Sequence, residues 1–386
     1  FVRLMSIVFF LLAAMPSLQL VYFKTASLIT IEKSEVPVKG VAAIQPNVYF
    51  IILDAYMRSD ILKQNLGFDN SDFISFMENK EFLNLDRSFS SYPWTVFSLI
   101  STLEMNYELD YNPSIWAKRL KSNTFKNFES LGYELYFMAQ SRGIVPCPDN
   151  VQCMGAAPKS DRFFIGRLGT ILIKTVPLLE DFLLKFVPTR FHYELNEVSD
   201  LTDTLRTFNP KGPSFFYAHI MMPHSPYARD AECNLVDFQG RGDFKSMRWA
   251  VRNKYLDFLK CGNRQFKVAI ETLIAKDPEA IVIVQADHGA SFTYQKHTND
   301  DGLPRPGKEP WRQAAMEGAY SIINFVRLPR SCRDLPYKAM SPVNTFRMVF
   351  SCLTNTEPSY LPDLSFWMDS EKQKINLLRK GGEWLF

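Results

Sequence analysis

The clearest candidates for chemistry are an aspartate and an aspartate–histidine pair, each following a buried apolar run. Asp54 follows the run 50–53, and Asp287-His288 follows the run 281–284. An unpaired carboxylate in a buried position is costly, so Asp54 must be solvated, paired or bound to a cation. Adjacent carboxylate and imidazole groups are ligands that a divalent metal accepts. The structural alternatives are Asp54 as a helix cap and His288 as a hydrogen-bonded histidine in a turn.

Thr95 is the candidate nucleophile. It follows Tyr92-Pro93-Trp94 and leads into 96–104, which has a helical pattern, and a proline favours the start of a helix. At a helix N-terminus, the backbone N–H groups and the helix dipole favour an anion. A bound metal could lower the pKa of the hydroxyl enough for attack. The alternative is an ordinary N-cap threonine.

Three further side chains are candidate substrate contacts. His224 lies in Pro223-His224-Ser225-Pro226-Tyr227, where two prolines stiffen the loop, and it could ligate metal, contact a phosphate or sulfate oxygen, or protonate a leaving group. His297 falls in the polar loop after the aspartate–histidine pair. Arg58 follows the first aspartate closely and could contact phosphate. His219, inside a predicted strand, is interpreted as a core or supporting histidine.

The elements that must position these residues form an α/β pattern. Apolar runs rich in β-branched and aromatic residues predict strands buried on both faces: 48–53, 133–138, 215–220, 281–286 and 322–326. Amphipathic helices are predicted between them, at 71–80 and 249–276. Strands that alternate with helices predict an α/β fold with a mostly parallel central sheet sandwiched by helices. Ligands gather at the carboxyl ends of the strands of such sheets.

Composition sets limits on function. The 386 residues are 46% hydrophobic and 22% charged, which suits a sizeable globular core. The net charge of +3 is nearly balanced, and basic residues are not interleaved with aromatic ones in stripes. We therefore expect no nucleic-acid partner.

The N-terminal residues predict a membrane segment. Residues 4–23 are almost continuously apolar between Arg3 and Lys24, and as a helix they would span about 30 Å, enough to cross a bilayer. We expect a transmembrane helix at 1–24, which could end a longer membrane region, then a linker at 25–45 and a catalytic domain at 46–386. A signal peptide or a buried core helix are the alternatives. The first two interpretations place the domain outside the cytoplasm, in the periplasm or extracellular space.

Cysteine usage supports that location. We predict that sequence neighbours pair as disulfides: Cys147 with Cys153, Cys233 with Cys261, and Cys332 with Cys352. Each pair would close a local loop, as expected in an oxidising compartment. The alternatives are a zinc cluster, although no pair has the short Cys-x-x-Cys spacing that structural zinc sites usually use, and six unpaired cysteines.

The order of these motifs resembles a known family. An aspartate ending the first strand, a hydroxyl before a helix, a Pro-His-x-Pro-Tyr loop and then Asp-His-Gly resemble the alkaline-phosphatase superfamily, sulfatase branch. Within it, the chain is most similar to the membrane-anchored phosphoethanolamine and phosphoglycerol transferases. The resemblance covers roughly residues 46–326.

The resemblance implies a ligand set for one divalent metal: Asp54, Thr95, Asp287 and His288. Zinc or manganese is the expected metal, with calcium possible. The resemblance also implies that Thr95 attacks phosphorus and forms a covalent intermediate, while His224 contacts the phosphoryl group. The expected partners are a membrane, a phospholipid donor, and a glycan or lipid acceptor.

Two departures from the sulfatase pattern refine this expectation. Residues 95–99 read Thr-Val-Phe-Ser-Leu, without the cysteine or serine, proline and arginine of the frame that yields formylglycine, which argues against sulfate-ester hydrolysis by that route. Asp54 is followed by Ala55 rather than by a second aspartate, which favours one metal. We expect transfer of a phospholipid head group through Thr95. The alternatives are a phosphodiesterase or sulfuric-ester hydrolase with water as acceptor, and a non-catalytic binding or regulatory module.

Overall fold

A computed structural model describes nine stretches of the chain: 41–109, 122–138, 151–154, 198–225, 227, 229–236, 248–290, 311–369 and 374–385. The predicted transmembrane segment at 1–24 and His297 lie outside these residues. None of the helices within them combines the length and apolarity that crossing a bilayer requires.

A seven-stranded sheet forms the centre of the molecule, in the order β2-β7-β6-β1-β5-β3-β4. Its strands are β1 (Val48–Leu53), β2 (Leu83–Asn84), β3 (Glu134–Met138), β4 (Gln152–Met154), β5 (Ser214–Ile220), β6 (Ile281–Gln285) and β7 (Asn324–Arg327). Strand β1 pairs in parallel with β5 on one side and with β6 on the other. The carboxyl ends of these three strands therefore meet at one edge of the sheet.

The predicted mostly parallel sheet is confirmed, with an antiparallel margin. Strand β7 runs antiparallel to β6, and β2 runs antiparallel to β7. The strand predicted at 322–326 begins at Asn324, because Ile322 instead forms an isolated bridge with Met57. The sheet remains parallel from β6 to β4, where the candidate residues lie.

Helices cover both faces of the sheet. They are α1 (Ser59–Leu66), α2 (Ser71–Asn79), α3 (Thr95–Glu104), α4 (Asn123–Ser130), α5 (Val198–Thr207), α6 (Arg248–Lys276), α7 (Trp311–Tyr320) and α8 (Thr345–Thr354). Alternate residues of β1 point to opposite sides: Ile51 packs in one core with α1, α2, α5 and α6, while Phe50 packs in the other with α3, α4 and α8. Burial on both faces explains why β1 is apolar throughout.

A second, three-stranded antiparallel sheet supports the segment that precedes α3. It consists of β8 (Leu364–Asp369), β9 (Lys374–Lys380) and β10 (Glu383–Trp384). Phe366 of β8 stacks on Tyr92 with ring centroids 5.5 Å apart, and Trp367 packs on Trp94 at 5.0 Å. The start of α3 is therefore held by aromatic contacts as well as by the central sheet.

Two of the three predicted disulfides are confirmed. Cys233 pairs with Cys261, and Cys332 pairs with Cys352. Cys153 is also disulfide-bonded, and its predicted partner Cys147 lies outside the described residues.

Candidate metal and nucleophile site

Three neighbouring parallel strands bring acidic and imidazole side chains to one edge of the sheet. Asp54 directly follows β1, His219 is the sixth residue of β5, and Asp287 and His288 follow β6. All four side chains are buried, with at most 4% of each residue exposed. They therefore interact in a poorly solvated environment, where charge–charge interactions are strong.

The polar atoms of these residues converge. His219 Nε2 lies 3.0 Å from Asp54 Oδ2, and His288 Nε2 lies 3.6 Å from Asp54 Oδ1 and 3.5 Å from Asp287 Oδ2. Ligand atoms of Asp54, His219 and Asp287 all lie within 4.8 Å of one another. One small volume is thus surrounded by carboxylate oxygens and imidazole nitrogens.

Thr95 reaches the same cluster from a helix. It is the first residue of α3, and its Oγ1 lies 3.1 Å from His288 Nε2. Trp94, rather than Thr95, occupies the N-cap position of the helix. The hydroxyl is therefore directed to the cluster from a helix N-terminus, where backbone N–H groups favour negative charge.

The tautomer of His288 follows from its neighbours. Its Nδ1 lies 2.6 Å from the carbonyl oxygen of Gly289, which can only accept a hydrogen bond. In the neutral ring the proton is therefore on Nδ1, and Nε2 presents a lone pair to Thr95 and the carboxylates. Burial acts to lower the pKa of His288, but the charges of Asp287 and Asp54 outweigh it and raise the pKa above its ordinary value.

The two aspartates are buried, and hydrogen bonds orient each of them. Burial disfavours the ionised form of Asp54, but the charge of His224 and the hydrogen bond from His219 outweigh it and hold the pKa of Asp54 well below its usual range. Asp287 Oδ1 accepts hydrogen bonds from the backbone N–H groups of Ala55, at 3.2 Å, and His288, at 2.9 Å. These bonds fix the orientation of the Asp287 carboxylate.

The remaining oxygens of both carboxylates suit a metal ion. Across the described part of the chain, Asp54 Oδ1 and Asp287 Oδ2 have no hydrogen-bond donor. A buried carboxylate oxygen without a donor is unfavourable unless a cation compensates it. Both oxygens lie near the lone pair of His288 Nε2, and mixed oxygen and nitrogen ligands suit zinc and related divalent metals.

Comparison with known proteins identifies the family. A family model described as Sulfatase matches residues 46–315, which include every residue of this cluster. The chain belongs to the sulfatase family. No curated protein matches the chain in sequence.

Solved structures with the same fold include bacterial periplasmic domains. The C-terminal periplasmic domain of EcEptC from Escherichia coli, solved as a complex with Zn, matches with a TM-score of 0.50 and 12% identity over 84% of this chain and 87% of that chain. The soluble domain of lipooligosaccharide phosphoethanolamine transferase A from Neisseria meningitidis matches with a TM-score of 0.50 and 13% identity over 85% and 96% of the two chains. At these identities the likeness concerns the fold alone.

In this sulfatase-family chain, hydrogen bonds from α6 fix the turn after β1. Ala55 has a left-handed φ of 62°, which directs its N–H to Asp287. The hydroxyl of Tyr255, on α6, donates to Ala55 O at 3.0 Å and accepts from Met57 N at 3.3 Å. The turn that carries Asp54 is therefore fixed to the longest helix described.

The other predicted contacts differ in their placement. His224 is half-buried just after β5, with its ring centroid 6.3 Å from that of His288. Arg58 forms a two-point pair with Asp60, at 2.7 and 2.9 Å, and donates to the carbonyl oxygen of Ser88. The roles of Arg58 and His224 as substrate contacts remain predictions.

His219 was predicted to be a core or a supporting histidine. In the structure it is buried and hydrogen-bonds to Asp54, so it supports the site. The parallel register pairs His219 with Ile52, two residues before Asp54, so the imidazole lies beside that carboxylate. A histidine near the end of a strand parallel to β1 was the available signal.

Proposed function

We propose that this chain is a metal-dependent enzyme that acts on phosphate esters through Thr95 as nucleophile. The main support is the 3.1 Å separation between Thr95 Oγ1 and His288 Nε2 at the start of a helix, beside two buried carboxylates. A threonine hydroxyl alone is a weak nucleophile. A helix N-terminus and a neighbouring metal site are features that can activate it.

The proposed metal ligands are Asp54, Thr95, Asp287 and His288. When bound, a divalent cation supplies positive charge that stabilises the deprotonated hydroxyl and the phosphoryl oxygens. The protein's own part is orientation: Ala55 N–H holds Asp287, and His219 holds Asp54 through Oδ2. The expected metal is zinc or manganese.

The proposed reaction has two displacements. In the first, Thr95 Oγ gives up its proton to solvent and forms a bond to phosphorus, while the bond from phosphorus to the glycerol oxygen of a phospholipid breaks. The departing oxygen takes up a proton, a role we assign to His224 because its half-buried ring lies close to that of His288. In the second, the oxygen of an acceptor hydroxyl forms a bond to phosphorus and its proton passes to His224, which restores that group. The bond from phosphorus to Thr95 Oγ breaks, and Thr95 Oγ takes up a proton from solvent.

Cysteine chemistry supports a location outside the cytoplasm. The two described disulfides, Cys233–Cys261 and Cys332–Cys352, are typical of oxidising compartments. With the predicted membrane helix at 1–24 and linker at 25–45, the domain at 46–386 would meet phospholipid donors at the outer membrane surface. Glycans or lipids there are the proposed acceptors.

Intact mass spectrometry tests the proposal. Zinc-loaded protein is incubated with vesicles that contain phosphatidylethanolamine, and a phosphoethanolamine adduct on Thr95 is expected. Thr95→Ala should form no adduct and show no turnover. It should keep its fold and still bind zinc, with a lower affinity than the wild type. Thr102→Ala is the matched control, because among the described residues its hydroxyl bonds within the same helix, to Ser98 O.

The outcomes separate the alternatives. Full turnover by Thr95→Ala would refute the mechanism. Release of free phosphoethanolamine in both the presence and the absence of a glycan acceptor would favour a hydrolase. Stoichiometric zinc binding without any adduct or turnover would favour a non-catalytic binding module.

A further inference from the structure

We infer that Ser98 is a positioning residue that fixes the helix of the nucleophile against the metal-binding loop. The inference rests on the proposed function, since it concerns how Thr95 is held relative to Asp287 and His288. Ser98 lies in α3, is fully buried, and has no part in the proposed displacements.

The contact between the two elements is direct. Ser98 Oγ donates a hydrogen bond of 2.5 Å to the main-chain carbonyl oxygen of Asp287. The carboxylate of the same aspartate accepts from Ala55 N on its other side. Asp287 is therefore attached to the turn after β1 through its side chain and to α3 through its backbone.

The two contacts define how α3 is rotated about its axis and how far along that axis it lies relative to the loop after β6. Residues three apart lie on one face of an α-helix. Thr95 contacts His288 and Ser98 contacts Asp287, so one face of α3 meets two consecutive residues of the loop. Two points of attachment fix the helix against rotation about its axis, which one point alone does not.

The consequence for chemistry follows from geometry. Misplacement of a reacting group by about 1 Å can lower a rate about 100-fold. Loss of the Ser98 bond leaves the Asp287 carbonyl without this donor and removes the hydrogen bond that joins α3 to the loop at this point. The separation of Thr95 Oγ and His288 Nε2 would then be fixed less closely.

The same helix offers a matched control. Ser101 is equally buried, but its hydroxyl donates to Ser98 O within α3, at 3.0 Å. Ser101→Ala and Ser98→Ala therefore remove the same group from the same helix. Within the described part of the chain, Ser98→Ala breaks a bond between elements and Ser101→Ala does not. A general loss of helix stability would affect both variants alike.

The experiment measures zinc affinity of the metal-free protein by calorimetry, together with kcat and KM on the phospholipid donor. For Ser98→Ala we expect zinc affinity to fall about 10-fold and kcat to fall about 10- to 100-fold. This is the range seen when groups that orient metal ligands are removed. We expect a smaller change in KM. Ser101→Ala should match the wild type in both. Equal behaviour of the two variants would overturn the inference.

Two provisions keep the outcomes distinct. If Ser98→Ala does not fold, Ser98→Cys is measured instead, because the thiol fills similar space and is only a weak donor, and the same two outcomes apply. If Thr95→Ala retains full activity, the proposed function fails whatever Ser98 does. If Thr95→Ala is inactive and the two serine variants agree, only the positioning role fails.

Discussion

Gly289 is predicted to tolerate no side chain, because the metal-binding loop there lies against the backbone of α7. A Cβ atom at this position would overlap the carbonyl oxygen of Gly318 and lie 3.0 Å from the carbonyl carbons of Gly318 and Ala319. The Gly289 N–H also donates to Ala319 O at 2.8 Å. These neighbours are backbone atoms, so no change of rotamer relieves the overlap.

The magnitude for Gly289→Ala follows from two effects. Forcing one extra methyl group into a packed site costs about 1–3 kcal/mol. The shift that relieves the overlap also weakens the bond from Gly289 N to Ala319 O, and a buried group left unpaired costs about 1–3 kcal/mol. The free energy of unfolding should therefore fall by about 2–6 kcal/mol. With an unfolding entropy of about 2.1 cal/mol/K per residue, this corresponds for a chain of 386 residues to a Tm lower by about 2–7 °C.

Thermal unfolding and zinc calorimetry check this prediction against Gly212→Ala. A Cβ on Gly212 meets no heavy atom of the described residues within 4 Å beyond its chain neighbours, so that variant should stay within about 0.5 kcal/mol of the wild type. Gly289→Ala should also bind zinc more weakly, because the loop that carries Asp287 and His288 must move. A Gly289→Ala protein with the Tm and zinc affinity of the wild type would show that the close approach to α7 is not required.

Three further predictions concern metal, disulfide and pH. Chelation with EDTA should lower the Tm, and zinc at about 100 times its Kd should restore about 2.7 kcal/mol of stability; a Tm indifferent to both would contradict the metal site. Replacing Cys332 and Cys352 together by serine should cost about 3 kcal/mol in denaturant unfolding, as expected for a loop closed across a separation of 20 residues. Zinc affinity should fall as pH drops through the raised pKa of His288, because a proton competes with the metal for Nε2. The expected decrease is up to about tenfold per pH unit. Equal affinities at about pH 8 and about pH 6 would contradict this prediction.

The strands that matter for the site could be predicted because they are buried on both faces. Strand β1 has the predicted bounds, and β5 and β6 differ from prediction by one residue at one end. Strands β2 and β4 have only two and three residues, which is too short for a periodic pattern. The small sheet of β8–β10 was not predicted.

The proximity of the site residues was partly predictable. Asp54 and Asp287 follow neighbouring parallel strands, whose carboxyl ends share an edge. The approach of Thr95 depends on how α3 packs, which no local pattern encodes. His219 required the register of β5 against β1, since a shift of one residue would turn its side chain to the other face.

Asp287 illustrates why many contacts of this site could not be predicted from the sequence. Its surroundings are fixed by Ala55 N–H, Ser98 Oγ and the contact of Gly289 with α7. Each of these uses a backbone group or a small side chain, so none leaves the aromatic, charged or periodic signal that sequence reasoning detects. The absence of space at Gly289 imposes a demand that only glycine meets, and the left-handed φ of Ala55 is a backbone conformation that no local pattern marks. The candidate ligands could therefore be predicted from their chemistry. The backbone groups and small side chains that orient them could be identified only from the tertiary contacts.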